Sequence, residues 1–168
     1  VNGHINTFLA DFDEERLEMA WHTLPLSRII MVALENNAKL TAPCIDKWID
    51  RGIESLPHQR EPGFLYQMGK HLWFKRRDMK LSIECLVAVC ETRHAKSIKA
   101  HLLIGQLKAN SGSVNEAIGA WYQGLVRSVD QELLIDDMER HEDANKLLLA
   151  LALSDEGKAH QDRIVEVW

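Results

Sequence analysis

Shifted by 36 residues, the sequence falls on itself in three copies. Gly105 meets Gly69 and then Ala33; Ile104 meets Met68 and Val32. Ala117 meets Leu81 and Ile45, Trp121 meets Cys85 and Ile49, Gly124 meets Ala88 and Gly52, and Leu125 meets Val89 and Ile53. Small residues recur where two helices must approach closely, and large apolar residues recur where a core must be filled. A unit of this length cannot bury both of its faces alone. Stacking neighbours completes the core, which is the physical logic of helical repeats.

The third copy shows the unit best. From Lys99 to Asn110, Ala100, Leu102, Leu103, Ile104 and Leu107 follow helical spacing. Asn110-Ser111-Gly112 is a turn signal, and Ser113 with Glu116 predicts a capping box at the next helix start. Val114, Ala117, Ile118, Trp121 and Leu125 continue that helix. The same reading predicts a first hairpin of 26–38 with 42–55, capped by Thr41 with Pro43 in the first turn. A second pairs 62–75 with 78–92, opened by Pro62 and capped at Asp78, and the third pairs 96–110 with 113–128. An incomplete helix near 13–23 precedes them and ends before Pro25. Helices over 130–153 and 154–167 follow, and the acid-rich run of Asp136, Asp137, Glu139, Glu142 and Asp143 suits a cap with one wet face. No strand-like alternation of useful length is present, so the expected fold class is all-α, an antiparallel helix-hairpin array in one domain over 1–168.

On these residues the chain resembles the tetratricopeptide repeat family. Ile104-Gly105, Ala117 and Trp121 carry the resemblance in the third copy, Met68-Gly69 in the second, and Val32-Ala33 with Pro57 in the first. Repeats of about 26–61, 62–97 and 98–129 with a cap over 130–168 follow. Ile29, Leu65 and His101 replace the family's early aromatic, Pro57 alone keeps the closing proline, and the period exceeds the usual ~34 residues. The resemblance implies a curved α-solenoid whose first helices line a concave groove. The groove would present Ile30, Leu34 and Asn37, then Tyr66, Gln67, Lys70, Trp73 and Phe74, then Lys99, Leu102, Leu103, Gln106 and Asn110. Family members that clamp a terminal carboxylate do so with Lys and Asn. Lys99 matches such a place, but Ile30 and Leu34 stand where polar clamp residues belong, so chaperone tails are not the expected ligand. The alternative role of Tyr66, Trp73 and Phe74 is packing between repeats, and for Trp73 and Phe74 it is the favoured one.

Charge is unevenly distributed. Residues 62–110 carry nine basic and three acidic side chains, a net +6, while 1–61 is net −4 and 111–168 is net −7. A basic belt between acidic ends favours an acidic partner. The overall balance of −5 argues against nucleic acid, and Lys75-Arg76-Arg77 reads as a solvated turn. Cys44, Cys85 and Cys90 are odd in number, and the last two are five apart on one helix, so three reduced, buried thiols are expected. No apolar run approaches the ~20 residues of a membrane span and no signal peptide is visible, which sets a cytoplasmic expectation.

Chemistry is sparse. His4, His22, His58, His71, His94, His101, His141 and His160 make no HExxH and no zinc spacing with cysteine; His94 and His101 could share a helical face but lack a third ligand. Asp136 and Asp137 are adjacent and point apart on a helix. GxSxG, GxxxxGK[ST] and GxGxxG are absent. The expectation is a non-catalytic interaction or scaffold module without cofactor or metal. It binds a peptide or partner protein, probed through Tyr66, Gln67, Lys70, Trp73, Lys99 and Gln106. Two alternatives stay open: a self-associating subunit such as a homodimer, and a regulatory domain of a larger, membrane-anchored protein, since the first residue is Val1.

Overall fold

A computed structural model describes residues 14–20, 24–129 and 137–153. Among them are eight helices: α1 (Glu14–Ala20), α2 (Leu26–Glu35), α3 (Ala42–Ser55), α4 (Pro62–His71), α5 (Met79–Cys90), α6 (Lys96–Asn110), α7 (Val114–Ser128) and α8 (Asp137–Leu153). The described residues are all-α, without a strand. The chain divides into two compact units, Val1–Asp78 and Met79–Trp168. The boundary falls within the stretch expected as the second hairpin. The helix expected over 154–167 lies outside the described residues.

In the first unit, α2 packs against both α3 and α4. Ile29, Ile30, Ala33 and Leu34 of α2, Trp48 and Ile49 of α3, and Phe64 and Met68 of α4 are essentially inaccessible to water. Burying one such side chain is worth about 1.5–3 kcal/mol. Gly52 allows this packing: a methyl group there would lie 2.5 Å from Met68 Sδ. The first turn of α3 forms as its sequence predicts, with Thr41 Oγ1 accepting from the Cys44 N–H at 3.4 Å and Pro43 in the first turn. The α1 helix completes this end. Its Leu17 is fully buried, and Glu14 accepts from the Thr41 N–H at 3.1 Å and from the Thr41 hydroxyl. A carboxylate is favoured there because α3 begins with unsatisfied N–H groups. Glu18 pairs with Lys47 at 2.5 Å, and that hydrogen bond holds its carboxyl below the usual range.

Past His71 the α4 helix widens into a π-type turn, Leu72–Arg76, that closes on Arg77 in the left-handed conformation (φ 58°). The Arg77 N–H reaches the Trp73 carbonyl and the Asp78 N–H reaches Leu72, each at 3.1 Å. An arginine in this conformation costs about 1–2 kcal/mol that a glycine would avoid.

In the second unit, α6 packs against α5, α7 and α8, and α7 packs against α8. Ile98 of α6, Ala117, Ile118, Trp121 and Leu125 of α7, and Ala144, Leu147 and Leu151 of α8 form one core. The α6 helix ends in a Schellman motif. Ser113 N–H reaches the Lys108 carbonyl at 2.9 Å, Gly112 N–H reaches Ala109 at 3.0 Å, and Gly112 has φ 79°. The capping box is corrected here. Ser113 holds the N-cap position without a side-chain hydrogen bond, and Glu116 turns back to Lys108 at 2.5 Å instead. An ammonium across a tight turn outcompetes the distant backbone N–H for the carboxylate. A second correction concerns the cap: Asp143, expected on a wet face, is 1 % exposed.

Candidate functional site

The six residues expected to bind a partner divide between the units. In the first, Tyr66, Gln67, Lys70 and Trp73 all lie on α4 and its π-type turn. Gln67 is buried and its amide donates to Glu35 Oε1 at 3.2 Å, so it ties α4 to α2. Tyr66 is half-buried and Lys70, also half-buried, has no hydrogen-bond or ion-pair partner among the described residues. Lys70 instead contributes to holding the buried His71 neutral. Trp73 is half-buried, and the Arg77 guanidinium stands 5.3 Å from its ring centroid, within cation–π range. Beside it Phe74 is 52 % exposed, and Lys75 is exposed.

The Lys75-Arg76-Arg77 cluster therefore has three different fates. Arg76 is spent on α3, donating to Asp50 Oδ1 at 2.6 Å and to the Asp46 carbonyl at 3.1 Å. Arg77 stacks on Trp73, and Lys75 faces water. Ile30 and Leu34, expected to line the groove, are core residues of this unit, while Asn37 lies 3.5 Å from His71 Nε2.

In the second unit, Gln106 is exposed on α6. Lys99 Nζ lies 3.7 Å from Asp143 Oδ2, and Lys146 approaches the same carboxylate at 3.7 Å. Lys99 thus neutralises a buried acid. Nothing in its local sequence signals this, because Asp143 is 44 positions away.

Sequence reasoning also missed a depression in this unit. It is open, about 800 Å³ in volume, and bounded by α5, α6 and α7. His101 and Ile104 of α6 contribute to its lining, with Val87 on the α5 side and Gly119, Ala120 and Val126 on the α7 side. Val87 and Val126 are 43 % and 39 % exposed. Arg127 Nη2 donates to the Thr92 carbonyl at 2.7 Å. The depression also contains a cysteine and a histidine, but not a reactive pair. Burial pushes the Cys90 thiol up to about 12, and its Sγ contacts the Ser97 carbonyl at 3.9 Å. Burial, helped by Arg127, pushes His101 down to about 4. A thiol so placed is protonated at neutral pH and a poor nucleophile. His94 Nδ1 accepts from the Lys96 N–H at 3.1 Å. Among the described residues no three His, Cys, Asp or Glu side chains are grouped to hold a metal ion, and no described helix is long and apolar enough to cross a membrane.

The class these features define is an all-α array of packed helical hairpins. Compared with protein-family models, curated proteins and solved structures, the chain matches none.

Proposed function

We propose that the chain is a non-catalytic, tetratricopeptide-like interaction module that binds an acidic peptide segment on the exposed π-type turn and the adjoining half-buried Tyr66–Lys70 side of α4. One observation carries the reading. Phe74 is half exposed beside Trp73, and Lys70 and Lys75 flank this pair without a carboxylate partner among the described residues. An exposed aromatic with uncommitted ammonium groups is a surface that gains from an acidic, apolar-anchored ligand. π-type turns often mark functional positions, and the left-handed Arg77 holds its guanidinium over Trp73. Tyr66 extends the same helix face by one turn toward the N-terminus, while Gln106 and Lys99 belong to the other unit. The raised thiols of Cys44 and Cys90 support the non-catalytic part of the reading.

The test is fluorescence anisotropy with a labelled Asp/Phe-rich peptide and a Lys/Phe-rich control. Lys70→Glu with Lys75→Glu should weaken the acidic peptide about tenfold or more and leave the thermal midpoint nearly unchanged, because neither ammonium holds an ion pair among the described residues. Equal binding by wild type and variant would remove this face from consideration.

A further inference from the structure

We infer that the depression between α5 and α7 is a second docking site, which takes a basic amphipathic helix from a partner protein. The first ground is shape. Both α5 and α7 pack on α6, so a trough runs between them above His101 and Ile104. Gly119 to Arg127 spans eight helical rises, about 12 Å, or two turns of an occupying helix. Val87 and Val126 offer apolar side chains to the trough while remaining substantially exposed.

The second ground is Gly119. A glycine inside a helix costs about 1 kcal/mol against alanine, so its presence calls for a neighbour. Gly52, Gly105 and Gly124 each have one within the chain: a methyl group would collide with Met68, Trp121 and His101 respectively. At Gly119 a methyl group would meet no atom within 4 Å. The space above it is open and faces the trough, where a second helix backbone could approach closely.

The third ground is charge. Glu84 stands on α5 one turn before Val87, and Glu91, just past the end of the helix, lines the trough; both carboxylates are exposed without an ion pair among the described residues. On the opposite wall, Gly119, Ala120, Gln123 and Val126 are uncharged. Arg127, at the end of the trough, is bonded to the Thr92 carbonyl. The complementary occupant has apolar residues three and four apart and lysine or arginine on the flank that meets α5. Helix-in-groove docking uses this pattern.

The probe is a labelled Leu/Lys amphipathic peptide of about 18 residues, long enough to hold a helix, with a Leu/Glu peptide of the same pattern as control. Binding is read by anisotropy at about 150 mM salt, where distant surface charges are screened. The wild type should bind the Leu/Lys peptide saturably and the Leu/Glu peptide far more weakly. Gly119→Phe fills the trough from its α7 wall and should weaken binding about tenfold or more; Glu84→Lys with Glu91→Lys should do the same and reverse the preference. Circular dichroism checks that each variant is folded, and the charge reversal decides the matter if Gly119→Phe is not. No binding, equal binding of both peptides, or binding unchanged in the variants overturns the inference. So does a concentration-dependent dimer that Gly119→Phe abolishes, because the occupant would then be a second copy of this chain.

Discussion

Gly105 of α6 lies against the indole of Trp121 of α7, so closely that a methyl group at residue 105 would overlap the ring. The same indole donates its N–H to the Leu102 carbonyl at 3.1 Å. One aromatic thus fills the gap left by the glycine and satisfies a backbone acceptor a turn earlier. Gly105→Ala must push the ring away and strain that bond. Overpacking and a weakened hydrogen bond together should cost about 2–4 kcal/mol. Urea denaturation measures this; a loss below about 0.5 kcal/mol, the scale of a surface change, would show that the hairpin can relax around the methyl.

Gly112 makes a contrasting case. Nothing lies within 4 Å of a methyl group built there, yet its φ is 79°. The expected penalty of Gly112→Ala is backbone strain alone, about 1 kcal/mol. At Gly119, with ordinary helical geometry and open space, Gly119→Ala should instead stabilise by about 0.5–1 kcal/mol. Thermal midpoints of the two variants should therefore move in opposite directions from the wild type.

Lys99 is the residue whose expected behaviour changes most with the structure. Read as a groove cation, it could be reversed to glutamate at no cost to stability. Placed 3.7 Å from an Asp143 that is 1 % exposed, it cannot. Lys99→Glu sets a second carboxylate beside a buried one and should cost about 2–4 kcal/mol, with Lys146 sparing part of the loss. Pairing it with Asp143→Asn should recover much of the stability in a double-mutant cycle. Simple additivity of the two changes would mean that they do not interact.

Acid should weaken the first unit through His71. Burial pushes its pKa down to about 4, with the Lys70 and Lys75 charges acting in the same direction and the Leu34 carbonyl acting against them. Asn37 faces its Nε2 at 3.5 Å. The folded value is below the unfolded one of about 6.5, so the neutral ring is what the fold accepts. Stability is complete above pH ~6.5, falls as pH drops from there to ~4, and loses nothing more from this group below that. The full loss is on the order of 3 kcal/mol. Thermal midpoints between pH 7.5 and 4.5 should show the slope in the wild type and a shallower one in His71→Gln. An unchanged slope would assign the acid response to other groups, among them His101, which is lowered in the same way.

Local physics makes much of this chain legible in its sequence. Hydrophobic spacing places α2, α3, α6 and α7 within a few residues of their observed ends, because an apolar stripe every three to four residues is both what defines an amphipathic helix and what a core requires. Thr41 and Gly112 act at the helix ends through their own nearest backbone groups. The recurring small residues likewise report a real constraint, since Gly52, Gly105 and Gly124 each sit where another side chain presses in.

The candidate sites were less legible, since their chemistry depends on which distant residues meet. Gln67 and Lys99 look like surface polar groups on their own helices. Glu35 and Asp143, 32 and 44 positions away, turn them into internal ties. Arg76 and Arg77 are neighbours in sequence, yet one bonds to Asp50 and the other stacks on Trp73, because the π-type turn points them apart. The trough between α5 and α7 has no sequence signature at all, being the space left over when both helices pack on α6. Helix formation depends on interactions within about four residues, which a single sequence displays. The pairing of a charge, and the emptiness above a glycine, depend on tertiary packing, and only the folded chain decides them.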